Sequence, residues 1–196
     1  MPKQQVAELQ SLKIQTVKIK LEGISPLIMH RWGEKAKGEM LDKQMKKAVQ
    51  KVAKDPKAQY ESSLYKFDDG RFGFPADGFK ASMIRGGKQL GLVMTDMRTA
   101  IFIQGEYSKV ADRELIEIFG EVSMREDMVR IANGTADIRY RGQITDWKAE
   151  LEITYNSTVV SFDQIVNMLQ AAGFGVGVRE WRPPKGGTFG RFKVVS

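Results

Sequence analysis

The residues best equipped for chemistry lie in one segment, Phe174 to Lys193. Glycines at 175, 177, 186, 187 and 190 alternate there with Arg179, Arg182, Lys185, Arg191 and Lys193, and Trp181, Phe189 and Phe192 are interleaved. Glycine lets backbone N–H groups approach a ligand closely, arginine and lysine neutralise phosphates, and an aromatic face stacks on a base. The segment carries three ingredients of a nucleic-acid site: Arg179, Arg182, Lys185 and Arg191 as phosphate ligands, Gly187 and Gly190 for close approach, and Trp181 as a stacking platform. The alternative for the segment is a structural turn, and for each aromatic taken singly a place in the core.

Other chemistries find fewer residues. His30 is the only histidine. Its imidazole suits general acid–base work near neutrality, with Arg31 or Lys35 beside it to stabilise a phosphorane, against the plainer reading of a structural histidine. The pairs Asp68-Asp69 and Glu126-Asp127 read as solvated acids. Gly86-Gly87-Lys88 lacks the spacing and the Ser/Thr of a phosphate loop. The absence of cysteine rules out disulfides and thiolate zinc sites, and a single histidine rules out a multi-histidine centre. No metal and no cofactor are expected. The formal charge of +7 and pI of about 9.5 favour an anionic partner, nucleic acid first and an acidic protein second. No apolar run approaches membrane-spanning length, and Met1-Pro-Lys-Gln-Gln lacks a signal-peptide core, so a cytoplasmic protein without membrane contact is expected.

These residues need a scaffold. Residues 14–23 alternate Val17, Ile19 and Leu21 against Lys18, Lys20 and Glu22, which predicts a half-buried strand. Residues 33–53 have apolar positions at helical spacing and a lysine-rich remainder. Asp55-Pro56 is expected to stop that helix, leaving 54–66 a polar loop, so 33–66 reads as a basic helical insertion. Asp69-Gly70 predicts a hairpin turn. A helix is expected from Asp77 to about Leu90, opening after Phe74-Pro75 so that free N–H groups face an anion. Lys80, Arg85 and Lys88 are its cations, and Gly86-Gly87 would admit another backbone. Strands are expected at 100–103, 115–120, 138–140, 148–155 and 189–195, and a helix at 161–172 closed by Gly173. Arg139 and Arg141 would share a strand face with Tyr140 turned to the core; phosphate contacts and ion pairs with Glu126, Asp127, Asp137 or Asp146 are equally open to Arg125, Arg139 and Arg141. The order predicts one α+β domain over 1–196: an RNA-recognition or ferredoxin-like antiparallel sheet with helices on one face.

Two segments resemble the RAMP superfamily of CRISPR systems. Phe74-Pro-Ala-Asp-Gly-Phe-Lys-Ala-Ser-Met-Ile-Arg85 is similar to the family's strand-to-helix motif, and Gly175-x-Gly177 with Gly187-x-x-Gly190-Arg191 is similar to its glycine-rich loop, although here Arg179 to Lys185 separates the glycine clusters. The WRP…GG…FGRF ending also resembles bacteriophage proteins. The RAMP resemblance implies a non-enzymatic subunit that binds single-stranded RNA (or DNA) by its backbone with little sequence preference. It implies self-association into a multimer or filament along the strand, with other CRISPR or phage proteins as partners, and places Lys80, Arg85 and Lys88 near the phosphate path. Two alternatives stand beside it: a metal-independent endoribonuclease of the RAMP type using His30, and a phage structural or inhibitor protein that binds an acidic protein.

Overall fold

The computed structural model describes residues 11–31, 38, 40–42, 44–46, 54–130 and 134–195. Alternation sets the first element: β1 (Ile14–Gly23) buries Ile19 and Leu21 and leaves Lys18 and Lys20 on the opposite face. It pairs antiparallel with the second half of β8 (Ala136–Asn156), from Ile14↔Asn156 to Glu22↔Lys148. The short β2 (Leu27–Ile28) pairs with the first half of β8, on the far side of β8 lies β4 (Ile101–Gln104), and on the free side of β1 lies β9 (Phe192–Val195). The strand order is therefore β9-β1-β8-β4, antiparallel throughout. With α2 (Ala76–Gln89) between β1 and β4, and α4 (Phe162–Gly175) between β8 and β9, this is the ferredoxin-like β-α-β-β-α-β core in an α+β fold.

Both helices cover one face. Phe79 and Met83 of α2 and Ile165, Met168, Leu169 and Ala172 of α4 join Ile19, Leu21, Ile101, Leu151 and Ile153 in a single core. The helices touch backbone to backbone where Gly86 stands: a Cβ there would lie 2.4 Å from the Met168 carbonyl oxygen and 2.6 Å from the Ala172 nitrogen. Ser161 and Gln164 form a capping box at the start of α4. An edge-to-face chain of rings, Phe74–Phe79 at 5.2 Å and Trp147–Phe192 at 6.1 Å, fills the core beneath the start of α2. The uncovered sheet face is polar: Lys18 bridges Glu150 and Glu152, and Thr16 bonds Thr154.

The insertions carry the departures from the sequence reading. Of the helix expected over 33–53, residues 38, 40–42 and 44 are helical, residues 45 and 46 form a turn, and the rest lies outside the described residues. Asp55-Pro56 begins a helix within the stretch expected to be a polar loop. Asp55 Oδ1 accepts from the Ala58 N–H, and Pro56 takes the first position of α1 (Pro56–Ser63), where its missing N–H costs nothing. The segment after α1 is core, since Leu64, Tyr65 and Phe67 are buried. Gly70, at φ +92°, makes the expected turn before β3 (Gly73–Pro75), which pairs with β6 (Arg113–Glu117); β5 (Glu106–Ser108) completes that small sheet. A short helix, α3 (Met94–Ala100), precedes β4.

The expected short strands at 138–140 and 148–155 are one strand, β8, and the run around Met128 belongs to β7 (Phe119–Arg130), its hairpin partner. On that hairpin Arg141 is buried, 4% exposed, and Tyr140 is half-buried and outside the core, against the expectation. Carboxylates explain this: Asp127 lies within ion-pair distance of both Arg125 and Arg141, and Asp137 of Arg139. Gly173 lies inside α4, packed against the Phe192 carbonyl, and the left-handed residue that follows the helix is Gly177. The last strand begins at Phe192, because 189–191 still belong to the preceding loop.

Candidate nucleic-acid interface

The loop from Val176 to Arg191 folds back on itself. The Val178 N–H donates to the Gly190 carbonyl at 2.9 Å and the Phe189 N–H to the Trp181 carbonyl at 3.1 Å, around a 3-10 turn at Pro183–Lys185. Three bonds fix it to the body: Gly190 N–H to the Pro26 carbonyl at 2.8 Å, Arg191 N–H to Ser25 Oγ at 2.9 Å, and Ser82 Oγ to the Gly177 carbonyl at 2.7 Å. Gly187 and Gly190 serve this folding. A Cβ on Gly187 would lie 1.7 Å from the Trp181 carbonyl oxygen, and one on Gly190 would lie 2.0 Å from that of Val178. The close approach that the structure shows at both is to the loop's own backbone. Arg179 (φ 65°) and Trp181 (φ 50°) occupy the left-handed region, where a side chain is strained, and the bonds of the loop hold them there.

Between this loop and α2 runs a cleft of about 600 Å³, lined among others by Pro75, Asp77, Gly78, Ser82, Arg85, Arg113, Arg179, Glu180, Trp181, Arg182 and Lys185. The start of α2 opens on it with no side-chain cap, so its first N–H groups add positive potential. Five cations meet here, from three separate elements, and among the described residues none of Arg85, Arg113, Arg182 and Lys185 makes a salt bridge. Partial burial and the neighbouring Arg85 lower the pKa of Arg182, while Glu180 acts in the other direction. Trp181, 44% exposed, stands at the rim. Phe192 takes the core alternative, and Phe189 lies under the Arg125 guanidinium, 4.8 Å from ring centroid to Cζ.

A second cleft of about 400 Å³ adjoins the first, sharing Arg113, Arg179 and Glu180 and adding His30, Arg31, Tyr65 and Ala111. His30 Nδ1 lies 3.3 Å from Glu180 Oε1. That bond, helped by the charges of Arg141 and Arg179 against the opposing effect of burial, lowers the Glu180 pKa to about 2. Arg31 donates to the Val110 carbonyl. Behind the cleft, Arg141 Nε and Nη1 and Arg179 Nε are buried without hydrogen-bond partners.

The structure thus brings together Arg85, Arg179, Trp181, Arg182 and Lys185 of the residues singled out in the sequence. Lys80 stands elsewhere, its Nζ 4.2 Å from the centroid of the Phe102 ring, and burial lowers its pKa. Arg191 turns back on α4, where Nε bonds the Phe174 carbonyl. Lys88 is exposed further along α2 and does not line the cleft. Arg125, Arg139 and Arg141 take the ion-pair alternative. Lys35 lies outside the described residues. Arg31, expected beside His30, lines the smaller cleft with it, and Arg113 was not singled out. Arg113 sits between Asp112 and Glu114, a setting that reads as solvated surface, and only the pairing of β6 with β3 carries it to the cleft. Among the described residues no group of three His, Asp or Glu is placed to hold a metal, and no helix is long and apolar enough to cross a membrane.

No family model and no curated protein matches this sequence. Among solved structures, that of Cmr6 from Pyrococcus furiosus is similar with a TM-score of 0.43 and 9% identity, covering 94% of this chain and 100% of the other. A likeness of that degree lends no weight to a shared activity.

Proposed function

We propose that this protein binds single-stranded nucleic acid through the phosphate backbone, in the cleft between α2 and the C-terminal loop. One observation carries the reading: Arg85, Arg113, Arg179, Arg182 and Lys185 converge on one concavity that holds only two acids, Asp77 and Glu180, and Glu180 is bonded to His30. Five cations against two acids attract a polyanion, and unpaired guanidiniums present forked donors to phosphate oxygens. Trp181 at the rim adds a stacking surface that any base can use. The cleft's cations address phosphates, which are alike in every nucleotide, so the binding this reading implies is sequence-tolerant. RNA is the preferred ligand on the strength of the two RAMP-like segments, and repeated subunits along one strand are the assembly this reading implies.

The test is fluorescence anisotropy with a labelled single-stranded RNA of about thirty nucleotides, long enough for several adjacent sites, titrated at several salt concentrations with nucleic-acid-free protein. The expected result is a linear fall of log K with log salt, by about 0.7 per phosphate contacted. More than one protein per strand at saturation would support assembly. A flat salt response, with tight binding to an acidic protein surface instead, would overturn the reading.

A second reading rests on the His30–Glu180 bond at the wall of the smaller cleft. A carboxylate that orients an imidazole is the arrangement a general base requires. In RNA cleavage His30 would take the proton from a 2′-hydroxyl attacking the adjacent phosphorus, with Arg31 beside the developing charge; the P–O5′ bond breaks, the 5′-oxygen leaves with a proton from water, and a 2′,3′-cyclic phosphate remains. Shortened RNA in the same titrations, absent with His30→Ala, would move this reading ahead of simple binding.

A further inference from the structure

The cations Arg113 and Arg179 converge on one buried ring. Their guanidinium carbons lie 5.8 and 5.7 Å from the centroid of Tyr65, which is 3% exposed. Both line the larger cleft and both line the smaller one. Neither makes a salt bridge among the described residues, the acid on their shared wall is bonded to His30, and Arg179 Nε is a buried donor with nothing to bond. Two like charges seated on one ring repel each other, and an orphaned buried donor is costly. Arg179 is also held there by a left-handed backbone that its own conformational preference opposes. An anion between the two guanidiniums would offset their mutual repulsion.

We infer that Arg113 and Arg179 clasp one phosphate at the saddle between the two clefts, so that a bound strand runs through both. This rests on the proposed nucleic-acid binding and deepens it: the ligand is a chain with phosphates on either side of the saddle, not a mononucleotide filling one cleft. On one side the strand meets Arg85 and Arg182; on the other it passes Arg31.

The experiment compares Arg113→Gln, Arg113→Lys and Arg182→Ala against the parent protein, with the same thirty-nucleotide RNA and a thermal midpoint recorded for each. Arg113 is exposed, so its variants keep the fold. The inference expects Arg113→Gln to bind roughly tenfold more weakly with the salt slope reduced by about 0.7, one phosphate's worth, and Arg113→Lys to recover the slope. Parent-like affinity and slope in Arg113→Gln, with binding lost in Arg182→Ala, would overturn the saddle and leave the larger cleft as the binding site. Weakened binding in both Arg113 variants at an unchanged slope would show a packing role on Tyr65 and equally overturn it. No binding by any of the proteins, the parent included, would overturn both this inference and the proposed function.

Discussion

His30 and Glu180 are joined across 150 residues of sequence, Nδ1 to Oε1 at 3.3 Å, on the wall of the smaller cleft. The bond couples the segment just after Leu27–Ile28 to the C-terminal loop and gives the fold a measurable acid sensitivity. The Glu180 pKa falls from an ordinary 4.5 to about 2. A depressed carboxylate stabilises the folded state above its unfolded pKa, and that contribution disappears as pH drops through the folded value. Glu180→Gln should therefore cost about 1–2 kcal/mol at pH 5.5, less than the full shift implies because the side chain is about a third exposed. The difference from the parent should shrink between pH 4.5 and 2. Chemical denaturation at a series of pH values checks this; a difference that does not change with pH would contradict it.

Arg85 and Arg182 make a like-charged pair facing the same cleft. Each replaced by alanine should weaken RNA binding about tenfold and lower the salt slope by about 0.7. Lys80→Ala, on the same helix but seated over Phe102, should leave both unchanged. Anisotropy titrations of the three variants separate a localised site from a general effect of net charge.

Trp181→Ala should reduce affinity by the worth of one stacked base, about 1–3 kcal/mol, at an unaltered salt slope. The discriminating readout is the slope: a change there would mean that the loop has lost its cation geometry and not merely an aromatic surface.

Gly86→Ala tests the packing that sets the cleft's far wall. Its added methyl would meet backbone atoms of α4 that have no rotamer to escape into, so the expected cost is about 2–3 kcal/mol, seen as a lower denaturation midpoint. An unchanged midpoint would mean that the two helices part more easily than their contact implies.

The ferredoxin-like core was legible because its elements obey one periodicity each. β1 alternates cleanly, α2 and α4 carry apolar faces at helical spacing, and Gly86 advertised a close approach. The β7–β8 hairpin was illegible because its inward face carries Arg125, Asp127, Arg139 and Arg141, charges that sequence reads as solvent-facing until their pairing is known. At Asp55-Pro56 the same two residues fit the end of one helix and the start of the next, and in the structure they cap and open α1. The candidate site was half legible for a related reason. Composition found the cations of the loop, but Arg113 becomes part of the cleft only when β6 pairs with β3, a contact that no local pattern encodes. Arg191, equal to its neighbours in the sequence, turns the other way because its backbone is tied to Ser25.

The cross-bonded loop also has a thermodynamic consequence for any ligand. Residues tethered to one another and to Pro26, Ser25 and Ser82 have lost their conformational freedom during folding, so Arg179, Trp181 and Arg182 stand in place before a ligand arrives and association need not order them. Affinity and fold integrity are thereby linked. A change at Gly190 would loosen the mould and register in a titration as though a contact had been removed.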